Sequence, residues 1–221
     1  MKLVAASFGW PFRGAWRSRF AIGSLLVLLV PITFVPLLGY AIASTRTAKQ
    51  DPTHGPPPWG LSARLIADGF WTAVVLLVLS APFIVVWNPV AEAIEAAGLW
   101  HVGDRPQAYV YAHVVAAFVL ALPWGLLLLL LMPHATSRFA ATGRPRDLVD
   151  FPAALRGVRR DFTAWNVAAA AMVTAWAIGI ACIGLLCVGF LPGMFYAILV
   201  SAHASATLHP AGTPRANPPS G

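Results

Sequence analysis

Apolar and polar positions along this chain fall in long blocks rather than in a short alternation. Uncharged, largely apolar runs cover residues 20–45, 69–91, 106–137 and 164–204, with short polar stretches between them. About 20 helical residues cross a hydrocarbon core of roughly 30 Å, so each run is long enough to cross or dip into a bilayer. The last run is 41 residues long, too long for one pass. It predicts two helices joined at the Gly189–Gly193 bend.

A short pattern recurs in the first and last runs. Phe34-Val35-Pro36-Leu37-Leu38-Gly39-Tyr40-Ala41-Ile42 and Phe190-Leu191-Pro192-Gly193-Met194-Phe195-Tyr196-Ala197-Ile198 agree at Phe, Pro, Tyr, Ala and Ile. A second likeness precedes each run: Trp10-Pro11-Phe12-Arg13-Gly14-Ala15-Trp16-Arg17 in one case, Phe151-Pro152 and Leu155-Arg156-Gly157-Val158-Arg159-Arg160 in the other. Together they suggest an internal duplication. The plainer reading of the second likeness is that arginine and aromatic residues favour membrane boundaries. The first copy has the shorter limb, because about a dozen residues separate Arg19 from Pro31 while nearly thirty separate Arg160 from Gly189.

Composition agrees with a lipid environment. With 58% hydrophobic and 10% charged residues in 221, a water-soluble globule would lack the polar surface to cover its core. The fold expected is an all-α polytopic membrane bundle of four to six helices, one helical domain over 1–209 followed by a disordered tail at 210–221. A basic start, an apolar run and Ala41-Ile42-Ala43 resemble a secretory signal, but the run exceeds the usual apolar core of about 7–15 residues. It reads as a retained membrane segment. Cys182 and Cys187, the only cysteines, have no metal-ligand spacing and read as thiols buried in the bilayer.

The net charge of +7 lies beside the apolar runs and works as a topology signal rather than a nucleic-acid patch. Lys2, Arg13, Arg17 and Arg19 precede the first run without an acid, and Arg46, Lys49 and Arg64 follow it with Asp51 and Asp68. Both flanks read as cytoplasmic. Glu92, Glu95 and Asp104 mark an external loop, and the arginines at 138, 144, 146, 156, 159 and 160 mark an internal one. Every loop is satisfied if the first run turns at Pro31–Pro36 and returns to its own side, the middle runs cross once, and the last goes out and back. The competing arrangement is a single tilted span over 20–43 with a proline kink. A re-entrant turn is tolerable in lipid only when the bundle packs around its broken backbone.

Smaller features fit this scheme. Phe151, Leu155, Val158 and Phe162 recur at helical spacing with Arg156, Arg159 and Arg160 on other faces, the pattern of an interfacial amphipathic helix. Ala175, Gly179, Ala181 and Gly184 give the last run a small-residue face for helix packing or a dimer contact. Asp51 to Gly60, rich in proline and glycine, reads as a stiff surface linker.

The aromatic-Pro-Phe start, the basic residues and Trp before the first run, Pro36-Leu37-Leu38-Gly39-Tyr40, Pro58-Trp59 and Asp68-Gly69-Phe70 resemble a prokaryotic integral-membrane family, domain of unknown function 4013. The likeness covers most of the chain, its best motifs lie in residues 8–82, and this chain departs from it in lacking most charges in the linker. The resemblance implies a membrane location and a helical fold, and it supplies no catalytic residue.

No phosphate-cradling glycine loop, nucleophile elbow or HExxH pattern occurs, so neither a catalytic residue nor a cofactor or metal is expected. His101, Asp104 and His113, scattered near the outer loop, read as solvated residues, and Asp68 and His203 stand at the ends of runs. Two function classes remain. One is a non-catalytic scaffold in a prokaryotic plasma membrane, whose collars at Arg13, Arg17, Arg19, Arg156, Arg159 and Arg160 hold anionic lipid headgroups, or a membrane protein partner or second copy. The other is a small transporter or permease-like component with a site at Pro36, Tyr40, Pro192 and Tyr196. A polar cavity between the Pro-Tyr segments would favour the transporter; a packed interior would favour the scaffold.

Overall fold

The computed structural model describes residues 2–98, 105–184 and 189–208, so His101, Asp104, Cys187 and the tail at 210–221 lie outside the described residues. The described residues form helices joined by short turns and one longer non-helical segment at 51–62, without a strand. Six helices draw on the apolar runs: α2 (Trp16–Leu28), α3 (Val30–Gln50), α4 (Ala63–Ala96), α5 (Arg105–Thr142), α8 (Phe162–Ala181) and α9 (Phe190–Ala206). Three shorter ones lie outside them: α1 (Lys2–Gly9), α6 (Arg146–Val149) and α7 (Phe151–Arg160). Helices over Ala63–Ala96, Gln107–Thr142 and Phe162–Ala181 are long and apolar enough to cross a membrane.

The chain divides into two compact units, one of Met1–Ala73 with Leu130–Gly221 and one of Val74–Leu129. The first is built from two hairpins. In the amino-terminal hairpin α2 ends at Leu28 and α3 begins at Val30, leaving Leu29 alone at the turn. The turn therefore falls before Pro31 rather than between Pro31 and Pro36. Pro31 sits in the first turn of α3, where a missing N–H leaves no bond unmade, and Pro36 lies inside the helix. The Thr33 hydroxyl closes the turn by donating to the Leu26 carbonyl. Trp59 Nε1 donates to the Arg19 carbonyl at 3.2 Å and its ring stacks on Tyr40 at 3.7 Å, so residues about equally far from Leu29 on either limb share one neighbour. The first apolar run is a hairpin, not one tilted helix.

In the carboxy-terminal hairpin α8 and α9 run side by side, with Trp176 Nε1 donating to Ser201 Oγ at 3.1 Å. A Cβ on Gly179 would lie 2.9 Å from the Gly193 carbonyl oxygen, so the two backbones touch. Gly193 is thus a packing position within α9, and the chain leaves α8 at Cys182–Gly184, ahead of the expected Gly189–Gly193 bend. Pro192 occupies the first turn of α9. Of the small-residue face, Ala175 and Gly179 are buried against α9, whereas Ala181 and Gly184 are exposed.

Helix α9 is the centre of this unit. Phe195, Ala197, Leu199 and Val200 are fully buried, and Phe195 and Leu199 share a cluster with Trp10, Leu37, Tyr40, Ala48 and Leu65. A helix apolar all round fits such a position and no amphipathic one. Helices α3 and α4 cross at glycines: a Cβ on Gly39 would lie 2.0 Å from the Leu65 carbonyl oxygen, and one on Gly69 equally close to that of Val35.

The second unit consists of the far part of α4 and the near part of α5. Trp124 Nε1 donates to Ser80 Oγ at 3.0 Å and Trp87 Nε1 to the His113 carbonyl at 3.1 Å. Leu77, Ile84, Val85, Phe118, Leu122 and Leu126 are all exposed, which gives this unit a largely apolar outer surface.

Candidate functional site

The segment from Asp51 to Trp59 follows from its prolines. Proline has no N–H, so the main-chain carbonyls around it lack the partners a helix or strand would supply and need donors from elsewhere. Trp10 Nε1 donates to the His54 carbonyl at 2.6 Å, Arg13 Nη1 to the Pro52 carbonyl at 2.7 Å, and the Tyr40 hydroxyl to the Pro57 carbonyl at 2.7 Å. Pro56 is fully buried. The expected surface linker is therefore a strap pinned across α3 and the amino-terminal segment. Asp51 fixes its first turn, accepting from the Thr53 hydroxyl, the His54 ring and the Thr53 main-chain N–H, bonds that hold its carboxyl far below the usual carboxylate range.

The two tyrosines of the repeated nonapeptide do matching work. Tyr40 pins the strap, and the Tyr196 hydroxyl donates to the Phe8 carbonyl of α1 at 3.1 Å. A continuous series of ring contacts joins them. Tyr40 stacks on Trp59, both lie within 6.0 Å of Phe195, Phe195 meets Phe20 edge-on at 5.5 Å, Phe20 stacks on Phe12 at 5.4 Å, and Phe12 meets Tyr196 at 5.6 Å. Rings therefore link Tyr40 to Tyr196 through Trp59, Phe195, Phe20 and Phe12. His203 lies beside this column, sharing a 2.9 Å hydrogen bond with Ser7 Oγ under the Trp10 ring.

Charged side chains converge where α3, α4, α5 and α6 meet in the first unit. Arg46 Nη2 donates to Asp68 at 2.9 Å, with both side chains largely buried, and Arg46 Nε donates to the Ala140 carbonyl. Lys49 Nζ reaches Ser137 Oγ at 2.7 Å and the Leu208 carbonyl, placing a cation at the end of α9, where the helix dipole is negative. Arg138 bridges Asp147 and Asp150 at 3.0 and 3.1 Å. Asp150 also caps α7 through the Ala153 N–H, and that bond, with Arg138 second, holds its carboxyl below the ordinary value. From the sequence Arg46, Lys49, Asp68 and Arg138 read as topology signals, and their pairing, with Asp147 and Asp150 among the partners, was not visible. Arg46 and Asp68 belong to different helices, and Arg138 stands 9 and 12 residues before its acids.

The expected headgroup arginines divide into two groups. In the amino-terminal collar Arg13 and Arg17 are exposed and Arg19 is half-buried; Arg13 Nη1 donates to the Pro52 carbonyl, Arg19 Nη1 to the Arg13 carbonyl at 2.9 Å, and Arg17 lies over the Trp16 ring. On α7 all of Arg156, Arg159 and Arg160 are exposed. The buried face of α7 is Ala153, Ala154, Gly157 and Val158, and a Cβ on Gly157 would lie 2.4 Å from the His134 ring. Of the apolar stripe expected for an interfacial helix, Leu155 and Phe162 are exposed while Val158 is buried against the protein. Small residues allow the closer approach, so they take the protein side and the bulky apolar ones stay outside.

Residues 22–200 match the family model described as Protein of unknown function (DUF4013). The chain belongs to that family. The match takes in α3, α4, α5 and α8 with most of α9 and the second half of α2, and leaves out α1 and the aromatic start at residues 8–21. No curated protein and no solved structure matches the chain.

Proposed function

We propose that this DUF4013 member is a non-catalytic membrane scaffold whose α7 surface rests on anionic lipid headgroups. The observation that carries the reading is the two-sided form of α7. Ala153, Ala154, Gly157 and Val158 lock it to the protein, while Leu155 and three exposed arginines, Arg156, Arg159 and Arg160, face away, with the exposed Phe162 following at the start of α8. Apolar side chains beside a basic rim suit the boundary between acyl chains and headgroups. The aromatic column between Tyr40 and Tyr196 supports a scaffold over a permease, because a solute site between those segments would need polar, solvated walls. The inward pairing of Arg46, Asp68, Arg138, Asp147 and Asp150 supports the same preference.

The test is lipid selectivity of the full chain in vesicles, read by association of spin-labelled lipids. Wild-type protein is expected to prefer phosphatidylglycerol over phosphatidylcholine, a preference that salt weakens. With each arginine worth about 1 kcal/mol at an anionic surface, the triple variant R156Q/R159Q/R160Q should lose most of it. Equal selectivity in wild type and variant would remove α7 from the account.

A further inference from the structure

Where α5 gives way to α6 the first unit carries a depression of about 670 Å³ whose lining includes Arg138, Thr142, Arg144 and Arg146. Its shape is set by the main chain. Gly143 takes the left-handed conformation at φ 68° and its N–H returns to the Phe139 carbonyl at 2.8 Å, ending α5. Pro145 and the Asp147 N–H, bonded to the Arg144 carbonyl at 3.0 Å, then fix the turn into α6. Arg144 and Arg146 are thus held on a rigid bend, both exposed.

The acids that line the depression are already engaged. Asp147 accepts from Arg138 and from the Thr142 hydroxyl, and Asp150 accepts from Arg138 and the Ala153 N–H. Among the described residues no carboxylate pairs with Arg144 or Arg146, nor with Arg64, whose Nη2 lies 3.7 Å from where a Cβ on Gly143 would be. Three guanidinium groups without acidic partners therefore gather around one fixed turn, and the half-exposed Val149 forms part of the wall. Guanidinium forks match phosphate oxygens in pairs, and a rigid turn removes much of the ordering cost of holding them.

We propose that this depression binds a phosphoryl group, with Arg144 and Arg146 as its contacts and Arg64 beside them. The group could come from a phosphomonoester lipid headgroup or from a soluble phosphate. The site uses none of the α7 arginines, so it stands or falls apart from the reading of that helix.

The experiment titrates the full-length protein in phosphatidylcholine nanodiscs with short-chain phosphatidic acid and, separately, with inorganic phosphate. Binding of at least one probe is expected, weakened about tenfold or more in R144Q/R146Q, as loss of charge-assisted hydrogen bonds implies. R156Q/R159Q/R160Q should retain it, and R144K/R146K should recover part of the loss. Phosphatidic acid alone binding identifies the headgroup as the source; inorganic phosphate binding with the same arginine dependence identifies a soluble one. Unchanged thermal unfolding of R144Q/R146Q separates lost binding from lost folding, since both side chains are exposed. The proposal is overturned if neither probe binds, if R144Q/R146Q binds as wild type does, or if the α7 variant loses binding equally.

Discussion

Asp51 and Asp150 are small anchors with large local consequences. Each carboxylate collects main-chain and side-chain donors at a place where the chain must reverse: Asp51 at the start of the proline strap, Asp150 at the start of α7. Both are held below the ordinary carboxylate range by those hydrogen bonds, so the sign of the pH effect follows. An acid with a depressed folded pKa adds stability that is fully present above the unfolded value of about 3.9 and is lost as pH falls through the folded value. Thermal unfolding of the solubilised protein should weaken progressively below about pH 4. D51N/D150N should start lower at neutral pH and decline less steeply on acidification. A double variant with the same acid slope as wild type would show that these turns do not contribute. Neither role was legible beforehand: an aspartate ahead of a proline run signals a turn, but nothing in the sequence marks His54, Pro52 and Pro57 as acceptors for Trp10, Arg13 and Tyr40.

At the scale of elements, the hairpins rest on places where backbones meet without side chains between them. Gly39 and Gly69 bring α3 onto α4, and Gly179 and Gly193 bring α8 onto α9. A Cβ at Gly39 would meet a main-chain oxygen at 2.0 Å, which a side-chain rearrangement cannot relieve. Gly39→Val is therefore expected to cost more than the roughly 1–3 kcal/mol typical of overpacked cores. Gly60→Val, at a glycine with open space around its Cβ position, should be nearly neutral. Comparing their unfolding midpoints checks this, and similar losses in both would point to a general intolerance of added volume. Hydropathy and loop charge made the hairpins legible, because those signals depend on run length and sign alone. The turn positions were not, since proline is welcome in a first helical turn: Pro31 and Pro192 both begin helices rather than break them.

For the molecule as a whole, one repeated plan accounts for much of the first unit. A short basic element, α1 with its following turn or α6 with α7, precedes a hairpin, α2–α3 or α8–α9, and in each hairpin the second helix carries the Phe-Pro-Tyr pattern. The two Tyr-bearing helices meet through Phe195 and Tyr40, whose rings lie 6.0 Å apart. The duplicated nonapeptide was visible in the sequence, but its meaning required knowing which helices touch. The family and the long apolar helices were open to sequence reading; the pairing of Arg46 with Asp68 was not, because it depends on a crossing between helices distant in sequence.

Both terminal apolar runs are expected to return to the side of the membrane from which they start. Single cysteines placed in a C182S/C187S background at Ser18, Thr53, Glu95, Thr163 and Thr207, then probed with an impermeant thiol reagent in sealed vesicles of either orientation, test it most directly. Ser18, Thr53, Thr163 and Thr207 should react from one face and Glu95 from the other. Reaction of Ser18 and Thr53 from opposite faces would contradict it.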